Sequence, residues 1–443
     1  MAKLYVISFE GMNPDILDEY IERGKLKYFK RLLEEGHIGK LKTSRIPYEA
    51  SGLVSAFSGL QDYEHGVLSY WKAHNYDYIP KTYTSEDTKD NMLWLKEEMQ
   101  DITFNIVNIF GTHPAYKVNG SLITYAMNRT LRFSYPEDLI RNFASQGMPY
   151  VQDMGAFFKG QEKNDFLNEI FRVEGMRHEI CKKLMKDSSA DVVIINYTCI
   201  DRVCHFYMNE LNDSSIALED KAIYQMYKNC DSILGDILDF VERDQADLIM
   251  FSSVGFQPLS EFVEINPYLK EKKLLTLSSD GRYPDWTKTI AFEAVQGTQG
   301  ININRKDLYQ SGIVDDSEYT QVLHDVVEVL KQMPNPYNDN PMFKDVVLGS
   351  DFYNGLSLAP DIIVQPYDYR YLPYGDTYWS DRVKRHSQTG WHSIDTVWGG
   401  IGPKISNNIK EDEICHITQI APTIYKLLGR PVNNFVAKSL LKD

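Results

Sequence analysis

Short apolar runs with no polar face recur along this chain, and they restrict its fold more than any other feature. Leu4 to Phe9 reads LYVISF and Ile102 to Phe110 reads ITFNIVNIF. Asp191 to Tyr197 reads DVVIINY and Asp247 to Ser252 reads DLIMFS. A strand with one wet face alternates apolar and polar residues, whereas these runs are apolar on both faces and need cover on each side. Helical patterns separate them, the longest at Asp165 to Lys186 and Ala217 to Arg243. Such βαβ alternation predicts an α/β three-layer sandwich: a large, mostly parallel sheet with helices on both faces. The chain closes with a helix over Ile417 to Leu428, stopped by Gly429 and Pro431.

From about Pro258 to Arg385 the pattern changes. This stretch is rich in Pro, Gly, Tyr and Asp and has fewer strand–helix units. It reads as an inserted cap or lid region, residues 258–385, in a core made of residues 1–257 and 386–443. Five tyrosines, Tyr367, Tyr369, Tyr371, Tyr374 and Tyr378, cluster there. They are either an amphipathic surface loop or a cover over a substrate, with Tyr371 as a candidate contact. There is no internal repeat and no linker long enough to divide the chain.

The net charge of −15 leaves no basic face to displace counterions from nucleic acid. No apolar run is long enough to span a bilayer. The five cysteines are odd in number and form no C-x-x-C pair, which fits thiols in a reducing compartment. The opening MAKLYVISFEG enters a strand pattern at once. The expectation is a cytoplasmic protein acting on a small molecule, without nucleic acid or membrane as partner. Nothing in the sequence fixes its oligomeric state.

In parallel α/β sheets function gathers beyond the carboxyl ends of the strands. After LYVISF comes Glu10, and after DVVIINY comes CIDRVCHFY with Asp201, Arg202 and His205. After DLIMFS come Ser253 and Val254, and late in the chain His392 precedes another strand pattern. Asp201 and His205 are four apart, so one helical turn presents both to the same side. With a distant His392 they would give two imidazoles and one carboxylate. That set suits one divalent metal, zinc best, and leaves a coordination position open.

These segments together resemble the type I phosphodiesterase and nucleotide pyrophosphatase branch of the alkaline phosphatase superfamily. VISFEGMNPDIL stands for the family's opening strand and metal-binding Asp-Gly, and RIPYEASGLVSAFSGLQDYEHGV for its nucleophile segment. GTHPAYKVNG, DRVCHFY, SSVGFQPL, DWTKTIAF, GININ and IAPTIYKLLGRPV follow in family order. The resemblance implies a two-metal site. Its first half carries over to Asp201, His205 and His392. Its second half falls on Glu10, Glu49, Ser253 and Val254, and here the chain departs from the pattern. Glu49 stands where the nucleophilic Thr or Ser belongs, Val254 cannot bind a metal, and Ser253 replaces a carboxylate. The resemblance thus implies a divergent member lacking the nucleophile and the second metal. Ser51 and Tyr48, close to Glu49, would point elsewhere.

Without the second dication, Glu10 and Glu49 repel a phosphate. At roughly 5 Å and an effective dielectric near 20 each anionic contact costs about 3 kcal/mol. A neutral or cationic group fits that half better. Glu49, supported by Glu10, becomes a candidate general base. The leading expectation is a mononuclear, zinc-type enzyme for hydrolysis or group transfer on a small, non-standard substrate. The alternatives are a catalytically inactive ligand-binding relative and a phosphodiesterase with unorthodox residues. Further candidate contacts are Ser253, His65, His113 and Asn119, the two histidines being equally readable as structural. Lys72, Arg129 or Arg202 could fill the vacated half with positive charge, and His386 could add a ligand.

Overall fold

The four apolar runs become the centre of one nine-stranded sheet. The computed structural model describes residues 2–127, 130–153, 161–187, 189–373, 375, 388–410 and 414–442. Arg129, Tyr374, Tyr378 and His386 lie outside the described residues. The strands are β1 (Leu4–Phe9), β2 (His37–Lys42), β3 (Phe104–Ile109), β4 (Gly120–Thr124) and β5 (Ser134–Tyr135). They continue with β6 (Val192–Tyr197), β7 (Asp247–Phe251), β8 (Asp395–Ile401) and β9 (Cys415–His416). Their order across the sheet is β9-β2-β8-β7-β1-β6-β3-β4-β5. Strands β7, β1, β6, β3 and β4 are mutually parallel. Strand β8 runs antiparallel between β7 and β2, and β5 closes the other edge antiparallel to β4.

Every residue of β1, β3, β6 and β7 is buried, as the absence of a polar face requires. Alternate residues serve opposite faces. Tyr5, Ile7 and Phe9 join one apolar cluster with Leu17, Phe29, Ile180 and Leu234, which come from four helices. On the other face Phe57, from the helix Glu49–Ser58, packs against Phe251 at a ring separation of 5.8 Å. The long helices run over Lys163–Asp187 and Ala222–Asp244, close to the expected bounds. The final helix is Ile420–Leu427, preceded by a 3-10 turn over Ile417–Gln419. The chain is therefore α/β, with helices on both faces of a large, mostly parallel sheet.

The chain divides into two compact units. The first holds residues 1–61, 84–257 and 389–443; the second holds 62–83 and 258–388. Segment 62–83, which follows the nucleophile-like helix in sequence, thus belongs with the later stretch. Within the second unit a four-stranded antiparallel sheet has the order Ala291–Glu293, Gly300–Ile303, Ile362–Pro366, Phe343–Leu348. Helix Asp316–Lys331 packs on it through Leu323, Val326, Val327 and Leu330. Among the described residues no helix is long and apolar enough to cross a membrane.

Candidate metal centre

Backbone hydrogen bonds at the carboxyl ends of β1, β6 and β7 join the segments that carry the candidate residues. Glu10 N–H donates to Tyr197 O at 2.9 Å, Asp201 N–H to Glu10 O at 2.9 Å, and Gly11 N–H to Val254 O at 3.1 Å. Gly11 is required there. Its φ is +87°, and a Cβ would come within 2.6 Å of the Asp201 Cα. Helix Cys199–Tyr207 starts directly after Thr198, so Asp201 and His205 fall on its first two turns. Strand Gly390–Ser393 delivers His392 from the far end of the sequence. Helix Glu49–Ser58 opens with Glu49 in its first turn, where the helix dipole favours a carboxylate.

Asp201, His205 and His392 are buried, and their donor atoms all lie within 4.8 Å of one another. His392 Nε2 is 3.1 Å from Asp201 Oδ1, and His205 Nε2 is 3.6 Å from Asp201 Oδ2. Two donors about 2.0–2.1 Å from one tetrahedral ion sit roughly 3.3 Å apart, so the spacing suits a single shared cation. His205 Nδ1 donates to Gly390 O at 3.3 Å, which leaves its Nε2 lone pair facing Asp201. Aromatic rings wall the group. Tyr48 and Phe256 each stand edge-on to His392 at 5.3 Å, and Phe256 lies 4.8 Å from the His205 ring.

Glu49 joins the same group: its Oε2 lies 3.4 Å from His392 Nε2. Glu10 Oε1 accepts from Asn196 Nδ2 at 2.6 Å. Its Oε2 is buried with no hydrogen-bond partner among the described residues, as are Ser253 Oγ and His392 Nδ1. Val254 is fully buried and offers no side-chain donor atom. Ser51 Oγ is engaged with Ser44 Oγ at 2.8 Å.

Beneath the group lies a charge network that the sequence did not reveal. Arg202 donates to Asp201 Oδ2, to Asp153 Oδ2 at 2.7 Å and to Tyr125 Oη at 2.8 Å. Arg177 bridges Asp153 and Glu174. Thr198 Oγ1 donates to Asp153, and its backbone N–H donates to Glu174 Oε2 at 3.1 Å. Among the described residues, five buried carboxylates (Glu10, Glu49, Asp153, Glu174 and Asp201) thus face two buried guanidiniums, Arg177 and Arg202. A surplus of negative charge in a dry site is costly, and a dication would answer it.

The titration tendencies follow from the same environment. Burial drives the Glu10 carboxyl well above its usual range, Arg202 opposes this, and Asp201 and Glu49 add to it. Burial also acts to raise Asp201, but Arg202 and the two imidazoles outweigh it and hold that carboxyl low. Burial pushes His205 down to about 3. His392 is raised, because Glu49 and Asp201 outweigh its burial.

The other candidates have partners of their own. His113 Nδ1 bonds Thr124 Oγ1 at 3.1 Å. Asn119 sits at the amino end of β4, opposite the end that carries Glu10, and its Nδ2 donates to Gln100 O and Ile102 O at 3.1 and 3.0 Å. The structure does not bring Asn119 to the group. His65, Lys72 and Tyr371 belong to the second unit. There His65 Nδ1 accepts from Val67 N–H at 3.0 Å, the Lys72 ammonium lies over the Tyr83 ring, and Tyr371 stacks on Tyr337. Of the cations considered for that half, Arg202 lies beside Asp201 and its field acts on Glu10. Sequence reasoning missed Asp153, Glu174 and Arg177. The only local signal was the Glu174–Arg177 spacing of one helical turn, which is common on exposed helices.

Comparison with known proteins agrees with this architecture. A phosphonoacetate hydrolase from Sinorhizobium meliloti 1021, in complex with phosphonoacetate, superposes with a TM-score of 0.63. It shares 11% identity over 96% of this chain and 95% of its own. The alkaline phosphatase PafA gives 0.63 at 13% identity over 99% and 98% of the two chains. An inactive murine ectonucleotide pyrophosphatase/phosphodiesterase 5, in complex with AMP, gives 0.58 at 12% over 98% and 96%. At these identities the likeness is one of fold. No curated protein sequence matches the chain. The family model for type I phosphodiesterase / nucleotide pyrophosphatase matches residues 4–395. The chain therefore belongs to the type I phosphodiesterase / nucleotide pyrophosphatase family, on an alkaline phosphatase superfamily fold.

Proposed function

We propose that this chain is a metal-dependent enzyme of that family with a mononuclear centre, in which Glu49 takes the place of the family's hydroxyl nucleophile. The observation that carries the proposal is the Glu49 carboxylate 3.4 Å from His392 Nε2, beside a complete carboxylate–diimidazole donor set. Asp201, His205 and His392 would hold the ion, and two imidazoles with one carboxylate favour zinc. When bound, the ion supplies positive charge that polarises a substrate oxygen.

The chain's own groups do the rest. Arg202, anchored by Asp153 and Tyr125, fixes Asp201 through Oδ2 and leaves Oδ1 turned toward His392. Glu49 takes a proton from the attacking water or hydroxyl. Glu10 Oε2 and Ser253 Oγ offer hydrogen-bonding capacity to a neutral or cationic part of the substrate. Val254 supplies an apolar wall where the family's second metal would sit, so a doubly charged phosphate is disfavoured there. The reaction is hydrolysis or group transfer on a small molecule, in a reducing, intracellular setting consistent with the buried thiols of Cys181, Cys199, Cys204 and Cys230.

A panel of neutral esters, amides and nitrophenyl phosphodiesters tests the proposal. Turnover of a neutral substrate is expected, and Glu49→Gln should reduce its kcat about 10²- to 10⁴-fold with metal content unchanged. Phosphodiester turnover that survives Glu49→Gln would instead indicate ordinary family chemistry with other residues.

A further inference from the structure

Buried polar side chains interrupt the apolar centre of the large sheet. Strand β6 reads VVIINY, and its Asn196 stands in register with Ser8 of β1; both side chains are fully buried. A buried amide in such a strand is costly unless it is hydrogen-bonded. Asn196 is bonded at one end of its amide: Nδ2 donates to Glu10 Oε1 at 2.6 Å. Its Oδ1 has no hydrogen-bond partner among the described residues, and neither has Ser8 Oγ. An amide kept only for the fold would be satisfied at both ends. A strand that breaks its own apolar pattern in this way is expected where function requires it.

Asn196 is itself held in place. The pairing of β3 with β6 ends at Val107 opposite Ile195. Asn108, the next residue of β3, takes φ +62° at a register shift, a left-handed conformation that asparagine tolerates better than most residues. Its Nδ2 donates to Asn196 O at 3.2 Å, so a side chain continues the ladder where the backbone pairing stops. Glu10 is then fixed to β6 twice. Its N–H donates to Tyr197 O at 2.9 Å, and its Oε1 accepts from Asn196. A glutamate side chain is long and turns freely, and anchoring Oε1 removes that freedom in advance of binding. Oε2 is left as a buried acceptor without a partner among the described residues.

We propose that Asn196 is a positioning residue for the metal centre: it holds Glu10 Oε1 so that Oε2 accepts a hydrogen bond from an N–H or O–H group that the substrate carries beside the bond that reacts. The role rests on the metal-dependent reading of that centre, and it adds the class of substrate selected. A site built to accept a hydrogen bond discriminates strongly, because an analogue without the donor leaves the buried oxygen unpaired.

Two esters differing at one position test this, 4-nitrophenyl N-acetylglycinate and 4-nitrophenyl levulinate, in which a CH2 replaces the N–H. The zinc-loaded wild type should show a KM about tenfold lower for the N-acetylglycinate. Asn196→Leu keeps the branched shape of the side chain and removes the donor. It should raise the KM for the N-acetylglycinate about tenfold, with kcat changed by less than about twofold. Its zinc content and its KM for the levulinate should stay as in the wild type. Asn108→Gly, which the left-handed backbone accepts, should act in the same direction by about threefold. In a Glu10→Ala background Asn196→Leu should add nothing, since it acts through Glu10. Equal KM values for the two esters in the wild type, a full effect of Asn196→Leu in the Glu10→Ala background, or a fall in kcat without a change in KM would each overturn the proposal. A crystal structure of Asn196→Leu decides independently of turnover: the Glu10 carboxylate should leave its position, and a carboxylate that stays overturns the proposal. If the wild type turns over neither ester while Glu10 still moves in the variant, the hydrolytic reading of the centre falls and the positioning role of Asn196 stands.

Discussion

Asp201→Ala is expected to strip the protein of its metal. The substitution removes the donor set's one carboxylate and the group that both imidazoles face, at 3.1 and 3.6 Å. Changing a residue that only hydrogen-bonds to a metal ligand typically costs 10- to 100-fold in metal affinity, so loss of a ligand itself should cost at least about 10³-fold. Metal analysis after dialysis against a mild chelator should find less than about a tenth of the wild-type content. The variant also removes the Asp201 carboxylate from Arg202 Nη1, yet the guanidinium keeps Asp153 and Tyr125. The fold should therefore survive, and unchanged far-ultraviolet circular dichroism would confirm that the lost metal reflects a lost ligand.

Arg177→Ala should produce the largest loss of stability. Arg177 is fully buried and bridges Asp153 and Glu174, neither of which has access to water. Removing one partner of a buried ion pair leaves an uncompensated charge and costs about 3–5 kcal/mol. Burial acts to lower the Arg177 pKa, but Glu174, Tyr150 and Asp153 outweigh it and raise the net value. The guanidinium therefore stays charged throughout the accessible range. Chemical denaturation should show the unfolding free energy falling by that amount, with a correspondingly lower midpoint. A loss below about 1 kcal/mol would mean that water reaches the network. Because Asp153 also holds Arg202, the same variant should loosen Asp201 and weaken metal binding. The network thus links stability to function.

The centre of the sheet was legible in the sequence because its strands are apolar on both faces, and only a two-sided cover satisfies that pattern. The positions of Glu10 and of the Asp201–His205 pair were legible because they follow those strands directly. His392 was different. It lies 187 residues after His205 (392 − 205 = 187), and no periodicity connects them; only the family order of the segments did. Asn119 shows the reverse. It sits in a family-like segment, but its amide closes the amino end of β4, and the local pattern does not say which end of a strand a motif serves. The placement of residues 62–83 with 258–388 rests on long-range contacts that composition does not record. The Asp153–Arg177–Glu174 network was hidden for a simpler reason: charges on a long helix usually face water, and only the packing of Lys163–Asp187 against its neighbours reveals that these do not.

The claim that one half of the two-metal centre persists while the other is replaced by Glu49 and Val254 reduces to a count. Wild-type protein, loaded with zinc and freed of excess by gel filtration, should carry about one equivalent per chain. Two equivalents per chain would contradict the account, since the second ion would then have to sit where Val254 offers no ligand. A metal-free protein whose properties match those of Asp201→Ala would contradict it as well.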